Sequence, residues 1–137
     1  MPRTPQQIFE SYIHAGPLSR DADALAEAFT EDGVFEAPFV PADAEFPRRL
    51  VGREQIRSAM AAHYARGGKA GRTPNFAKSS FVLHTTTDPD VFIAEIDTVF
   101  DGDGDEGDTT ASLVQIFRIR DDRIARLRDY FAPDLVD

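Results

Sequence analysis

Three runs of β-forming residues, 91–100, 110–120 and 123–131, occupy the C-terminal third of the chain with only turn-forming segments between them. A chain ending this way must build a sheet. Asp121-Asp122 leaves room only for a tight turn. Asp101 to Asp108, rich in Asp and Gly, makes a longer connection. A fourth run, 76–86, carries Phe81, Val82 and Leu83 and stops before the turn signal Asp88-Pro89-Asp90. Strands joined by short turns pair as hairpins, so the expected sheet is antiparallel.

The first half reads differently. Thr4, Pro5 and Gln7 form a helix start, with a capping hydroxyl, a proline at the first helical position and a reciprocal amide. Ile8, Phe9, Tyr12 and Ile13 then recur at helical spacing, up to Gly16-Pro17. Ser19 or Asp21 caps a second helix with Leu25, Ala26 and Phe29 on its buried side. Val34 to Ala37 reads as a short strand closed by Pro38, and 38–50 as a loop. A third helix after Gly52 sets Ile56, Ala59, Met60 and His63 on one face and ends before the basic glycine loop of Arg66, Lys69 and Arg72. Helices first and a meander after predict an α+β domain. At 137 residues, without a linker or repeat, one domain over 1–137 is expected.

The net charge of -9 disfavours nucleic-acid backbones and anionic membranes as partners. The arginines crowding 118–128 read as a solvated strand face. No run is long enough for a membrane-spanning helix. Residues 1–5 lack the apolar segment of a secretory leader, so a cytoplasmic protein is expected. With no cysteine, thiol chemistry is excluded. His14, His63 and His84 lack metal-ligand spacing. Asp101, Asp103 and Asp105 mimic a calcium loop that then fails at Glu106 and Ser112. Neither a metal nor a cofactor is expected, and no nucleotide fingerprint is present.

Four stretches together resemble the nuclear-transport-factor-2-like superfamily: Leu25 to Pro38, Leu50 to Arg57, His84 to Glu95 and Ile116 to Pro133. Their order is similar to its SnoaL-like and ketosteroid-isomerase-related branch. The resemblance implies a curved antiparallel sheet wrapped around N-terminal helices as a cone, with a ligand pocket at the open end. It also implies a homodimer through the outer sheet face. The fold hosts isomerases, cyclases, dehydratases, epoxide hydrolases and non-catalytic modules.

The candidate chemistry lies in Glu95, Asp97 and Asp129. Glu95 and Asp97 are two apart on one strand and share a face. Asp129 alternates with Leu127 and Phe131, where a charge is costly unless it is partnered or used. Clustered carboxylates without a cation repel, which would hold a proton on one of them. By resemblance, Asp97 and Asp129 stand where limonene-epoxide-hydrolase-like members place two catalytic acids, but Glu95 replaces the arginine expected there. Tyr12 matches the phenol of ketosteroid isomerases. Gln115 stands for their protonated second donor, with an amide able to donate to a carbonyl, and Ala37 for their general base. The expected pocket wall is Phe29, Phe35, Phe39, Met60, His63, Phe81, Phe117, Leu127 and Phe131, suited to a small apolar or aromatic substrate. Two functions are compatible with these residues: a cofactor-independent proton-transfer enzyme, or a non-catalytic binding or association module of the same fold.

Overall fold

A computed structural model describes residues 3–66, 74–102, 105 and 107–132. Helix α1 spans Pro5–Ile13, and the Thr4/Gln7 capping box is present in both directions. The chain does not leave the helix at Gly16-Pro17. It widens into a π-helical turn over His14–Leu18, in which the Ser19 amide reaches back to the His14 carbonyl at 3.0 Å. That wider pattern accommodates Pro17, which has no amide hydrogen to give. Helix α2, Ala22–Glu27, is capped by Asp21, whose carboxylate accepts from the Ala24 amide. Helix α3, Arg53–Ala65, starts at Gly52, whose φ of 94° favours glycine. The glycine loop with Lys69 and Arg72 lies outside the described residues.

Six strands make one curved, unclosed sheet in the order β2-β1-β6-β5-β4-β3. They are β1 Phe29–Glu36, β2 Arg49–Val51, β3 Pro74–Thr85, β4 Val91–Phe100, β5 Thr109–Arg120 and β6 Arg123–Tyr130. β3 to β6 form the expected antiparallel meander. Two features depart from the sequence reading. β1 begins at Phe29 rather than Val34 and pairs parallel with β6, with a register shift between Phe29 and Val34. The stretch 38–50, read as loop, ends in the edge strand β2. Glu31, Asp32 and Gly33 read as a helix stop and turn in sequence, and here they lie at the irregularity in β1.

Period-two alternation assigns every strand residue to one of two faces. The inner face carries successive rows across the sheet, two of which frame the site. Leu83, Ala94, Gln115 and Asp129 form one, and Thr85, Phe92, Phe117, Leu127 and Phe35 the next. Helix α1 closes over these rows with Ile8, Phe9 and Tyr12 buried. Phe92 and Phe117 stack at 4.7 Å with rings nearly parallel, and Phe9 meets Phe117 edge-on at 5.8 Å. The outer face carries the arginines of β5 and β6. Glu36 receives Arg128 at 3.4 Å, Arg49 at 3.6 Å and Arg126 at 3.8 Å. Arg118 faces Asp88, Arg120 pairs with Asp32, and Arg123 faces Glu27. The arginine-rich end is a strand face, as its charge pattern implied, and its arginines are paired with acids there.

Candidate active site

The inner row of β5 and β6 brings two polar side chains into the core. Leu127, Asp129 and Phe131 all point inward, and Asp129 is only 8% exposed. Its cross-strand partner is Gln115, also buried. The Gln115 Nε2 donates to Asp129 Oδ2 at 3.0 Å. Asp129 Oδ1 and Gln115 Oε1 are both buried and accept no hydrogen bond. No cation is paired with the acid among the described residues. Burial therefore pushes the carboxyl up to about 7, and the Gln115 hydrogen bond works in the opposite direction.

Tyr12 reaches the same place from α1. Its ring stands edge-on to Phe117 at 5.6 Å. Burial holds its phenol well above the ordinary value, and the negative charge of Asp129 and the nearby Tyr64 push it further up. The Gln115 side chain pulls it back in part. Asp129, Gln115 and Tyr12, expected from three separate segments, thus converge.

Glu95 and Asp97 do not join them. Phe92, Ala94 and Ile96 occupy the inner face of β4, so the same alternation sends Glu95 and Asp97 outward. Glu95 is exposed and pairs with His84 of β3. Asp97 is exposed and accepts from the Ser112 hydroxyl at 2.6 Å. The expected three-acid cluster is not formed. Desolvation, not repulsion between carboxylates, raises the Asp129 proton affinity. The Gln115 amide gives one of its two N–H groups to Asp129, which leaves the other for the donor role expected of it.

The expected wall residues divide. Phe29, Phe35, Met60, Phe117, Leu127 and Phe131 are buried in one continuous core. Phe81 packs on Phe9 with ring centres 4.7 Å apart and is 41% exposed. Phe39 is a correction: it is 59% exposed and leans on Tyr130, whose side chain lies on the outer face. His63 packs edge-on against Phe46 at 5.0 Å, and burial, Arg66 and Arg20 hold its imidazole below the ordinary value. Phe46 escaped the sequence reading. It lies in a proline-bounded loop, yet it turns inward against Phe35, His63 and Phe131.

A separate open cleft of about 690 Å³ lies where β1 begins and β5 turns into β6. It is lined by Thr30, Asp32, Arg53, Arg120 and Arg123 among others, and contains neither Asp129 nor Tyr12. Its charges are largely satisfied internally: Arg120 pairs with Asp32, and Arg53 donates to the Phe29 carbonyl at 2.7 Å. Among the described residues no cluster of His, Asp and Glu is arranged to hold a metal, and no helix is long and apolar enough to cross a membrane.

A curved, unclosed sheet packed on N-terminal helices is the nuclear-transport-factor-2-like fold. Residues 10–127 match the SnoaL-like domain, and the chain belongs to that family. No curated protein matches. Among solved structures, the fold is similar to a candidate isomerase from Bacillus subtilis at 21% identity, over 96% of this chain and 88% of that one, TM-score 0.72. A phenazine biosynthesis-related protein from Pseudomonas aeruginosa aligns at 17% identity, over 95% and 80%, TM-score 0.65. An LEH-like epoxide hydrolase from M. tuberculosis aligns at 17% identity, over 95% and 84%, TM-score 0.57.

Proposed function

We propose that this protein is a cofactor-independent enzyme that moves a proton within a small, largely apolar substrate. The reaction type is that of an isomerase, cyclase, dehydratase or epoxide hydrolase. The observation that carries the reading is Asp129: a carboxyl buried among Leu127, Phe131 and Phe117, with no cation paired to it among the described residues and with one oxygen unengaged. An acid in such a place costs stability, and a proton affinity near neutrality suits it to give and take protons at physiological pH. Asp129 is the acid/base. Tyr12, brought over the same pair by α1, polarises the substrate oxygen. Glu95 and Asp97 take no part. The names of the solved neighbours, which include an isomerase candidate and an epoxide hydrolase, agree with this range of chemistry without selecting one member.

The enzyme acts as a homodimer in this reading. Val82, Ile93, Val114 and Ile116 lie on the outer sheet face, with Val82 and Val114 exposed. Arg126 and Arg128 stand toward the β1 side of that stripe, and Glu95 and Asp97 toward the β3 side. A second copy turned by a two-fold axis sets the basic side of one face over the acidic side of the other.

The test is Asp129→Asn, assayed against a panel of ketones, enones and epoxides. Loss of turnover in a folded variant supports the assignment. Equal turnover in the variant removes it. No turnover by the wild type with any compound favours a binding module.

A further inference from the structure

The two edges of the sheet are finished differently. Strand order leaves β2 at one end and β3 at the other, each paired with one neighbouring strand. β2 is three residues long, begins on Arg49, and has its Val51 amide taken up by the Gln55 side chain at 2.9 Å. Short length, a charge and a covering side chain are ordinary protections of an edge. β3 is twelve residues long. Its first half is protected. The register shifts between Asn75 and Ser80, and the Ser79 hydroxyl stands in the ladder there, accepting from the Val99 amide at 2.9 Å. Lys78 lies in the same stretch, paired with Asp101 and Asp108. The second half has no such device. Ser80 to Thr85 pairs with β4 without interruption, and Ser79 to Thr87 contains no Pro and no Lys, Arg, Asp or Glu. Every second residue of such a strand turns its amide and carbonyl away from β4. Among the described residues no further strand lies beyond it.

The residues of this second half are symmetric about Val82. Alternation puts Ser80, Val82 and His84 on the outer face and Phe81, Leu83 and Thr85 on the inner one. Outward from Val82 they come in matched pairs: Phe81 with Leu83, both apolar, then Ser80 with His84, both polar, then Ser79 with Thr85, both hydroxylic. A two-fold axis through Val82, perpendicular to the sheet, runs a second copy of the strand antiparallel to the first. It also keeps inner side chains on the inner face. Val82 then meets its own mate, Phe81 meets the partner's Leu83, and Ser80 meets the partner's His84. Large apolar groups remain exposed at these same positions: Val82 is 56% exposed, and Phe81 is 41% exposed although it rests on Phe9. Centring the axis on Leu83 would instead set Val82 against His84 and Phe81 against Thr85, apolar against polar. An isologous contact needs a self-complementary surface, and the Val82 register supplies one without facing like charges.

We propose that residues 80–85 of β3 are a self-association edge, which pairs antiparallel around Val82 with the same strand of a second copy and joins two six-stranded sheets into one. This surface is separate from the outer-face stripe and does not depend on the role of Asp129. An unrelated strand could satisfy the backbone of the edge equally well, but the two-fold symmetry of its side chains matches a second copy of itself. The contact runs along a single strand, so it belongs with small, transient interfaces. It is weaker than the broad outer-face contact and forms at higher concentration, where it joins dimers into tetramers.

The chain has no cysteine, so one introduced thiol reports alone. Val82→Cys and Ser80→Cys, both at exposed positions, are compared under mild oxidation. Each is made together with Ile116→Glu, which removes the outer-face contact. Opposite Cα atoms of an antiparallel pair lie about 4.5–5.5 Å apart, within disulfide reach, so Val82→Cys should form linked dimers. The two copies of Ser80 stand roughly 14 Å apart in this register, and Ser80→Cys should link at least about 10-fold more slowly. Sedimentation of the wild type from about 5 to about 500 µM should show its mean mass about doubling. Val82→Lys sets two cations opposite each other and should hold the mass constant over that range. Equal linking of the two cysteine variants overturns the proposal. So does a rise in mass that Val82→Lys retains, which would belong to another surface. A wild-type mass that does not rise overturns it as well, whether water or another segment of the chain covers the edge. Turnover is not read in any arm, so a failure here is distinguishable from a failure of Asp129 as acid/base, which the Asp129→Asn assay reports.

Discussion

Gln115 and Asp129 stand directly opposite each other on β5 and β6, so the pairing register decides that the buried acid meets an amide and not a cation. One residue of slip would set Asp129 on the arginine-bearing outer face. An ordinary ion pair was available on that face, where Glu36 takes three arginines. The site is built by withholding one.

Asp129→Asn is expected to lower kcat by about 100-fold or more while leaving substrate affinity within a few-fold, since positioned acid/base groups contribute on that scale. Steady-state kinetics with an active substrate checks this. In the wild type, where Asp129 acts as base, kcat/KM should rise with pH through about 7 and level off above it.

The same substitution should stabilise the protein at alkaline pH. The folded-state proton affinity of Asp129 lies above its ordinary value of 3.8, so the native state binds the proton that the unfolded chain releases. The stability contributed by the neutral acid is complete below the ordinary value and is lost as pH rises through about 7. A shift of this size corresponds to at most about 4 kcal/mol. Urea melts should show Asp129→Asn gaining on the wild type at pH 8 and gaining little at pH 4. An equal effect at both pH values would contradict a buried ionisable group.

Tyr12→Phe removes a hydroxyl and keeps the ring against Phe117. Thermal stability should change by less than about 1 kcal/mol. Turnover should fall about 100-fold if the phenol donates to developing charge on the substrate. An unchanged kcat would remove Tyr12 from the chemistry.

At Gly33 an added Cβ would lie 3.0 Å from the Thr30 carbonyl oxygen, 3.0 Å from the Phe29 Cβ and 3.1 Å from the Ile124 carbonyl oxygen. Two of these contacts are backbone and cannot swing away. Gly33→Ala should cost about 1–3 kcal/mol in chemical denaturation, the usual range for overpacking.

Ile116→Glu places a charge in the middle of the outer apolar stripe without touching the inner row. Sedimentation at micromolar concentration is expected to show a dimer for the wild type and a monomer for the variant. A wild-type monomer would contradict the proposed assembly.

The meander was legible because its turns are short and their residues specific. Asp121-Asp122 takes the left-handed conformation that a two-residue connection demands. The capping box at Thr4 was legible for the same local reason. The start of β1 was not, since it rests on a parallel pairing with a strand at the far end of the chain, which no local pattern encodes. Within the site, the inward position of Asp129 followed from its apolar neighbours at period two. The outward turn of Glu95 and Asp97 followed from the same rule applied to Phe92, Ala94 and Ile96, but which side of β4 meets the helices is settled by packing against α1. Phe46 lacked any periodic context at all.

The parallel contact of β1 with β6 has a kinetic consequence. Phe29 must wait for Ile124 before its strand has a central neighbour, so the sheet is completed by a pairing between distant parts of the chain. Topologies dominated by such pairings fold slowly. During synthesis, Phe29 and Phe35 are made well before Ile124 and Leu127, the residues that pair with them on β6, and holding chaperones would find their natural targets in that interval.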